Sequence, residues 1–336
     1  MKIARYNNRS EPSSRARTGA LLQGNVMGDL RAGYARYLVE QAGDPLGREI
    51  AALRLPADIV SLLSLGKPSR DAVQQAEQFL AELLAKDPAA SGLDGEPLFT
   101  PLDACRLHAP ARPSKVIAVG RNYREHLRQV GSDTEMQVPS AWIKSNNAII
   151  GPHRDIVKPA ATRQLDYETE LTLVIGEKCK NVPEERAYDV IYGYMVANDI
   201  SARDVVKIER IAKNQLLGKM FDTFCPTGPW IVTRDEIADP MNLRIRTRVN
   251  GVLRQDGCTK DMIWNIPQLI AYVSQMTLEP GDLITTGTPE GQALGQQNAA
   301  TLFLQAGDVL ESEIEGVGML RNKVVDDPVR QGSWTW

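Results

Sequence analysis

Residues 164–176 read QLDYETELTLVIG. In a strand, successive side chains point to opposite faces, so Asp166, Glu168 and Glu170 would share one face while Tyr167, Thr169, Leu171 and Leu173 share the other. Carboxylates on one face repel each other. Such a face is either solvated at a sheet edge or neutralised by a cation, and ligands that are all oxygen favour Mg²⁺, Mn²⁺ or Ca²⁺ over zinc.

The surrounding chain has the same strand-like texture. KVIAVG (115–120), YDVIYGYMVAND (188–199), GPWIVT (228–233), LRIRTRVNG (243–251), DLITTG (282–287) and DVLESEIEGVGMLRNKVV (308–325) are short β-like runs separated by Gly, Pro, Asn and Asp. Two helical stretches interrupt them, SARDVVKIERIAKN (201–214) and IPQLIAYVSQM (266–276). Strands in runs, rather than in alternation with helices, point to an α+β fold with a mixed or antiparallel sheet. No G-x-G-x-x-G and no phosphate-binding loop occurs, which argues against a nucleotide site.

Residues 1–110 form a distinct smaller unit by texture, and residues 111–336 the larger domain. The smaller unit is expected to contain a hairpin from residue 1 to about 24 and a helix in LRAGYARYLVEQAG (30–43). A second helix is expected in PSRDAVQQAEQFLAELLAKD (68–87), with Ser69 as its cap. LHAPARPSK (107–115) reads as a proline-stiffened linker.

The chain has 336 residues and a net charge of −3, with basic and acidic residues interspersed, so it carries no footprint for nucleic acid. No apolar run is long enough to span a bilayer. The four cysteines, Cys105, Cys179, Cys225 and Cys258, form no C-x-x-C pair, and reduced thiols in a cytoplasmic protein are the expectation.

Several shorter stretches carry groups suited to chemistry. In VANDISARD (196–204) a strand ends at Asp199, and Ser201 with Asp204 has the form of a capping box. Lys219 stands in an apolar neighbourhood within LLGKMFDTFCPTGP (216–229), where a lysine is costly unless paired. Thr286, Gly287, Thr288 and Gly291 can offer hydroxyl and backbone donors to a carboxylate.

Taken in order, GRNYREH (120–126), DYETELTLVIG, VANDISARD, GKMFDTFCPTGP, NGVLRQDG (250–257), MTLEPGDLITTGTPEG (276–291) and GDVLESEIEGVGMLRNKV resemble the fumarylacetoacetate hydrolase superfamily. The resemblance runs from Ile3 to Val325. It implies a mixed β-sheet rolled into a barrel-like core, preceded by a smaller N-terminal domain, in a homodimer. It also implies Mg²⁺ or Mn²⁺ held by Glu168, Glu170 and Asp199, with Asp166 an outer residue of that face. The same resemblance makes His126 the general base, with Lys219 and Gln129 beside it. Tyr123, Lys144, Arg203, Gly287 and Thr288 then line the site for a small 2-oxo acid.

Such a metal would chelate the acid's carboxylate and keto oxygens, and a water deprotonated by His126 would cleave a 2,4-dioxo acid to pyruvate and a carboxylic acid. Hydrolytic members that resemble this chain carry Y-x-x-H-x-x-E, whereas here the triplet is Tyr123, His126 and Gln129. An amide cannot stabilise an imidazolium by charge, so Gln129→Glu is expected to raise hydrolysis. Glu125 or Glu135 could substitute. Val206 likewise stands where relatives have glutamine. Three functions follow: an acylpyruvate- or fumarylpyruvate-type hydrolase; a decarboxylase, tautomerase, isomerase or hydratase using the same metal–enolate chemistry; or a binding protein.

Overall fold

A computed structural model of the chain describes residues 1–10, 15–131 and 136–328. The expected hairpin is present as β1 (Lys2–Asn8) and β2 (Arg17–Leu22), paired through Ile3 and Ala20, and β3 (Val26–Asp29) extends it. Helices α1 (Leu30–Glu40), α2 (Gly47–Arg54), α3 (Ile59–Ser64) and α4 (Lys67–Lys86) follow, then β4 (Phe99–Pro101) and β5 (Cys105–His108). Asp29 caps α1 by accepting the Ala32 N–H at 3.1 Å. Ser69 does not cap α4. That helix starts two residues earlier behind Gly66, whose φ of 71° only glycine adopts cheaply, and Ser69 is buried in its first turn.

The middle of the chain contributes β6 (Val116–Gly120), α5 (Arg124–Gln129), β7 (Ser140–Lys144), β8 (Ile149–Ile150), β9 (Ile156–Lys158), β10 (Leu165–Asp166) and β11 (Thr169–Ile175). After them come β12 (Ile191–Asn198), β13 (Ser201–Ala202), α6 (Arg203–Ile211), α7 (Leu217–Met220) and β14 (Cys225–Thr233). The last part holds β15 (Arg244–Val249), β16 (Val252–Cys258), α8 (Ile266–Val273), β17 (Leu283–Thr285), α9 (Ala299–Leu302), β18 (Val309–Ile314) and β19 (Gly318–Asp326).

The large sheet has the order β4-β3-β2-β1-β14-β12-β11-β17-β6-β7, with β5 on β1 and β8 on β14. Most neighbours are antiparallel, but β6 and β17 are parallel, so the sheet is mixed. A second sheet runs β16-β15-β18-β19-β9. Among the described residues neither sheet closes on itself: β4 and β7 are free edges. The rolled, barrel-like closure is therefore replaced by two open sheets, with β10 and β13 paired as a separate two-stranded ribbon. The amino-terminal strands join the rest through β1 on β14, so Ile3 faces Ile231, and LHAPARPSK begins inside β5.

Strand β11 is buried along its whole length. On one face Leu171, Leu173 and Ile175 pack with Ile245 and Ile314 of the second sheet and with Ile266 and Leu269 of α8. On the other, Val174 joins a cluster that includes Leu30, Leu62 and Leu80 of the amino-terminal helices. Each such side chain contributes roughly 1.5–3 kcal/mol of burial energy, which fixes the register of the strand whose first residues carry the acids.

Candidate active site

The pairing of Thr169 with Asn198 brings the start of β11 beside the end of β12. The Asp199 N–H donates to the Glu168 carbonyl at 2.8 Å, and the Asn198 side chain accepts the Glu168 N–H at 2.9 Å. Glu168, Glu170 and Asp199 therefore converge, with one carboxylate oxygen from each lying within 4.8 Å of the others. All three are buried, so a solvated edge face is ruled out.

Asp166 joins them at one remove. Its carboxylate accepts Arg203 Nε at 2.8 Å and the N–H groups of Ala293 and Leu294 at 2.9 and 3.1 Å. Arg203 also donates to Glu168 at 2.7 Å, and Lys219 donates to Glu168 at 2.5 Å and to Asp199 at 2.7 Å. Lys144 pairs with the other Asp199 oxygen.

These contacts set the ionisation states. Burial opposes the charge on Glu168, yet Arg203 and Lys219 outweigh it and hold the carboxyl far below the usual range. Burial likewise opposes the charge on Lys219, and Asp199 with Glu168 raises its pKa instead. Among the described residues Glu170 has no ion pair. Burial, then Asp199 and Glu168, push its pKa well up, and its carboxylate accepts the Gly287 N–H at 2.8 Å.

Four carboxylates thus face three cationic side chains. The converging donors are all oxygen, they are desolvated, and negative charge is in excess, which fits a hard divalent cation on Glu168, Glu170 and Asp199.

His126 is buried on α5. Its Nδ1 lies 2.7 Å from the side-chain amide of Gln292, a residue that nothing in the local sequence marked. Gln129 does not orient the imidazole. Its amide N–H₂ donates to the carbonyls of Gln292 at 2.8 Å and Leu294 at 2.7 Å, and its oxygen accepts the Gly291 N–H at 2.7 Å. It therefore latches α5 to the loop that carries Gln292. Gly295 completes the latch: its φ is 85°, and a side chain there would strike the Gln129 carbonyl. Glu125 is exposed and pairs with Arg128, while Glu135 lies outside the described residues. Burial, followed by Arg203 and Lys219, lowers the pKa of His126 against the opposing pull of Glu168 and Gln292, so the ring is neutral at pH 7.

Several expected substrate contacts are engaged elsewhere. Lys144 is buried behind Asp199 and donates also to the Lys219 carbonyl at 2.5 Å. The Thr288 hydroxyl donates to the Thr169 carbonyl at 2.9 Å and accepts from Gln255 at 2.8 Å. Gly287 holds Glu170. Tyr123 is buried, and burial followed by Glu170 pushes its hydroxyl pKa well up. Arg203 does reach the cavity, although its guanidinium is held by Asp166 and Glu168. Ser201 and Asp204 form no capping box: the serine hydroxyl donates to the Asp199 carbonyl at 2.9 Å, and Asp204 accepts Thr162 and the Arg163 N–H.

Two further groups shape the site. Trp142 places its ring 5.0 Å from Lys219 Nζ. Glu209 accepts the N–H groups of Leu216, Leu217 and Gly218 at 3.1, 2.7 and 3.1 Å and so fixes the turn that presents Lys219. His126, Glu168, Arg203 and Lys219 wall the inner part of a cavity of about 620 Å³, with Trp142 and Val206 among its apolar surfaces.

Residues 115–325 match the sequence model for the fumarylacetoacetate (FAA) hydrolase C-terminal domain. The oxaloacetate tautomerase YisK of Bacillus subtilis is 44% identical over 229 residues, covering 66% of this chain and 74% of its own. Among solved structures, fumarylacetoacetate hydrolase of Exiguobacterium antarcticum is 31% identical with a TM-score of 0.71, covering 97% of this chain and all of its own. Maleylpyruvate hydrolase of Sphingobium sp. SYK-6, in complex with manganese(II) and pyruvate, is 28% identical with a TM-score of 0.69, covering 97% and 99%. No helix among the described residues is long and apolar enough to cross a membrane. With the family's sequence model matched over most of its length and an acidic triad built from its strands, this chain belongs to the fumarylacetoacetate hydrolase family of enzymes.

Proposed function

We propose that the protein is a Mg²⁺- or Mn²⁺-dependent keto–enol tautomerase acting on an oxaloacetate-type 2-oxo acid. The observation that carries this reading is the partner of His126, a carboxamide where water activation calls for a carboxylate. A carboxylate would only accept, fixing the proton on Nδ1. A carboxamide serves both tautomers: its N–H₂ donates to a bare Nδ1, and after half a rotation its oxygen accepts Nδ1–H. The Gln292 oxygen has no partner among the described residues in the orientation observed, which leaves that rotation uncontested.

Such a histidine can both take and return a proton. With the Gln292 oxygen turned to accept Nδ1–H, Nε2 of the neutral ring takes the proton from C3 while the C–H electron pair forms the C2=C3 bond and the carbonyl π pair moves onto the 2-oxo oxygen, which then receives that proton from Nε2. The reverse sequence restores the ketone. A bound divalent cation would supply positive charge to the 2-oxo and carboxylate oxygens. Lys219, held by Glu168 and Asp199 beneath the Trp142 ring, adds a second positive charge where the enolate oxygen develops. The 44% identity to YisK supports the same reading.

Hydrolysis of a 2,4-dioxo acid is the second reading, favoured by the likeness to the Sphingobium maleylpyruvate hydrolase. The test follows the decay of enol-oxaloacetate by its ultraviolet absorbance, with Mg²⁺ or with chelator, beside a panel of acylpyruvates. Metal-dependent acceleration of enol decay with inert acylpyruvates is expected. Release of pyruvate and a free acid from an acylpyruvate, with no effect on the enol, would replace the proposal by hydrolysis.

A further inference from the structure

We propose that Arg121 and Arg210 form a second anion subsite at the outer part of the cavity, which receives the distal carboxylate of a dianionic 2-oxo acid. The inference rests on the reading of the inner site given above and adds to it the residues that select the substrate class. Among the described residues the cavity is lined by cationic Arg121, Arg203, Lys207, Arg210 and Lys219 and by one carboxylate, Glu168. Arg203 and Lys219 are committed to the inner acids. Among the described residues, Arg121 and Arg210 have neither an ion pair nor a hydrogen bond through their guanidinium groups.

The charge of Arg121 also reaches Arg210. Burial lowers the pKa of Arg210, and the next largest cause is the like charge of Arg121, ahead of Arg203. An anion lying between two guanidinium groups without partners among the described residues would gain charge-assisted hydrogen bonds from both. The backbone keeps them there. Arg121 has a φ of 57°, a left-handed conformation that an arginine adopts at a cost. The next residue holds it: buried Asn122 donates to the carbonyls of Trp264 and Thr286 at 3.0 and 2.8 Å and accepts the Trp264 N–H at 2.7 Å. Arg210 lines the same cavity from the last turn of α6. The strain and the three-point anchor fix the backbone from which Arg121 joins Arg210 in lining the cavity.

An acid with one carboxylate can occupy only the inner site, whereas an acid with a second carboxylate reaches both. The inner subsite handles the reacting end, and the arginine pair discriminates by charge at the other. Planar forked donors suit a carboxylate in two-point contact.

The test uses two unreactive probes that differ by one carboxylate, malate and lactate, titrated calorimetrically into the full-length protein in Mg²⁺. Malate is expected to bind the wild-type protein at least about tenfold more tightly than lactate, and Arg121→Gln or Arg210→Gln to remove about tenfold of that advantage while leaving lactate unchanged. Arg210 is exposed on α6, so Arg210→Gln provides a folded variant if Arg121→Gln disturbs the loop. In enol-oxaloacetate decay the same variants should raise KM with little change in kcat. Equal affinity of wild type for malate and lactate, absence of binding included, overturns the proposal. So does a malate preference that survives both substitutions. An arginine-dependent malate preference without turnover of oxaloacetate would keep the subsite and refute the tautomerase reading; turnover without that preference would do the reverse.

Discussion

Replacing Gln129 by glutamate separates two views of helix α5. If residue 129 served to activate a water through His126, a carboxylate there would raise hydrolysis. The structure gives the opposite expectation. Gln129 uses both of its N–H bonds on the carbonyls of Gln292 and Leu294, and a glutamate keeps only the bond from the Gly291 N–H. Two donor bonds are lost at about 1 kcal/mol each, and the Leu294 carbonyl, left facing an anion while the Gln292 carbonyl keeps the Gln296 amide at 2.8 Å, adds its desolvation, for a total of roughly 2–4 kcal/mol against the latched loop. The loop keeps other ties, since Asp166 accepts the Ala293 and Leu294 N–H groups and the Tyr167 hydroxyl donates to the Gly291 carbonyl at 3.1 Å. Part of the loss will therefore be absorbed, and about a ten- to hundredfold fall in kcat for enol decay is expected, with a lowered Tm. Protonation restores one donor, so the defect should shrink as pH is lowered through the carboxyl range. Calorimetric Tm, enol decay and acylpyruvate hydrolysis on Gln129→Glu decide the matter. A gain in hydrolysis with an unchanged Tm would refute the latch.

Glu168→Gln and Asp199→Asn each remove a charged ligand from the triad, so Mn²⁺ should bind at least about tenfold more weakly by calorimetry, and the rise in Tm that saturating Mn²⁺ gives the wild type should disappear. The pKa of His126 lies below its ordinary 6.5, so the base is competent down to that lower value and the acid limb of kcat/KM should fall below pH 6.5. Gln292→Glu, which places a carboxylate on Nδ1, should move that limb upward; a wild-type limb above 6.5 would contradict the burial argument. Burial also lowers His108 and His153, so between the folded pKa values and 6.5 the unfolded chain binds more protons. Stability should then be lost as pH falls through that window, as measured by denaturant unfolding at about pH 7 and 5.5.

Helices α1, α4, α6 and α8 and most strands were legible because each records its environment in its own periodicity, and the acidic triad because two of its members lie two residues apart at the start of β11, Glu168 just before the strand and Glu170 within it. Asp199 needed the pairing of β11 with β12, which the shared pattern of a known family supplied. Caps were read less well. Ser69 and the Ser201–Asp204 pair have the right residue types at the right spacing, but a hydroxyl or carboxylate takes whichever donor packing brings nearest, and here packing brought others. Sheet closure was equally out of reach, because hydrophobic alternation along a strand is the same in an open sheet and a barrel.

The same limit explains the misplaced partner of His126. Spacing along α5 nominates Gln129, one turn away, whereas the residue that meets the ring is Gln292, 166 positions later on a loop without periodicity. Its place depends on Gln129, Asp166 and Gly295 acting together, and none of these contacts is local. A glutamine at 129 is therefore not a weakened glutamate. Only a side chain that donates twice and accepts once can satisfy two carbonyls and an N–H at the same point, and the loop it holds presents to the histidine a partner that can be donor or acceptor in turn. The residue that seemed to subtract a function from the helix is the one whose chemistry the neighbouring backbone requires.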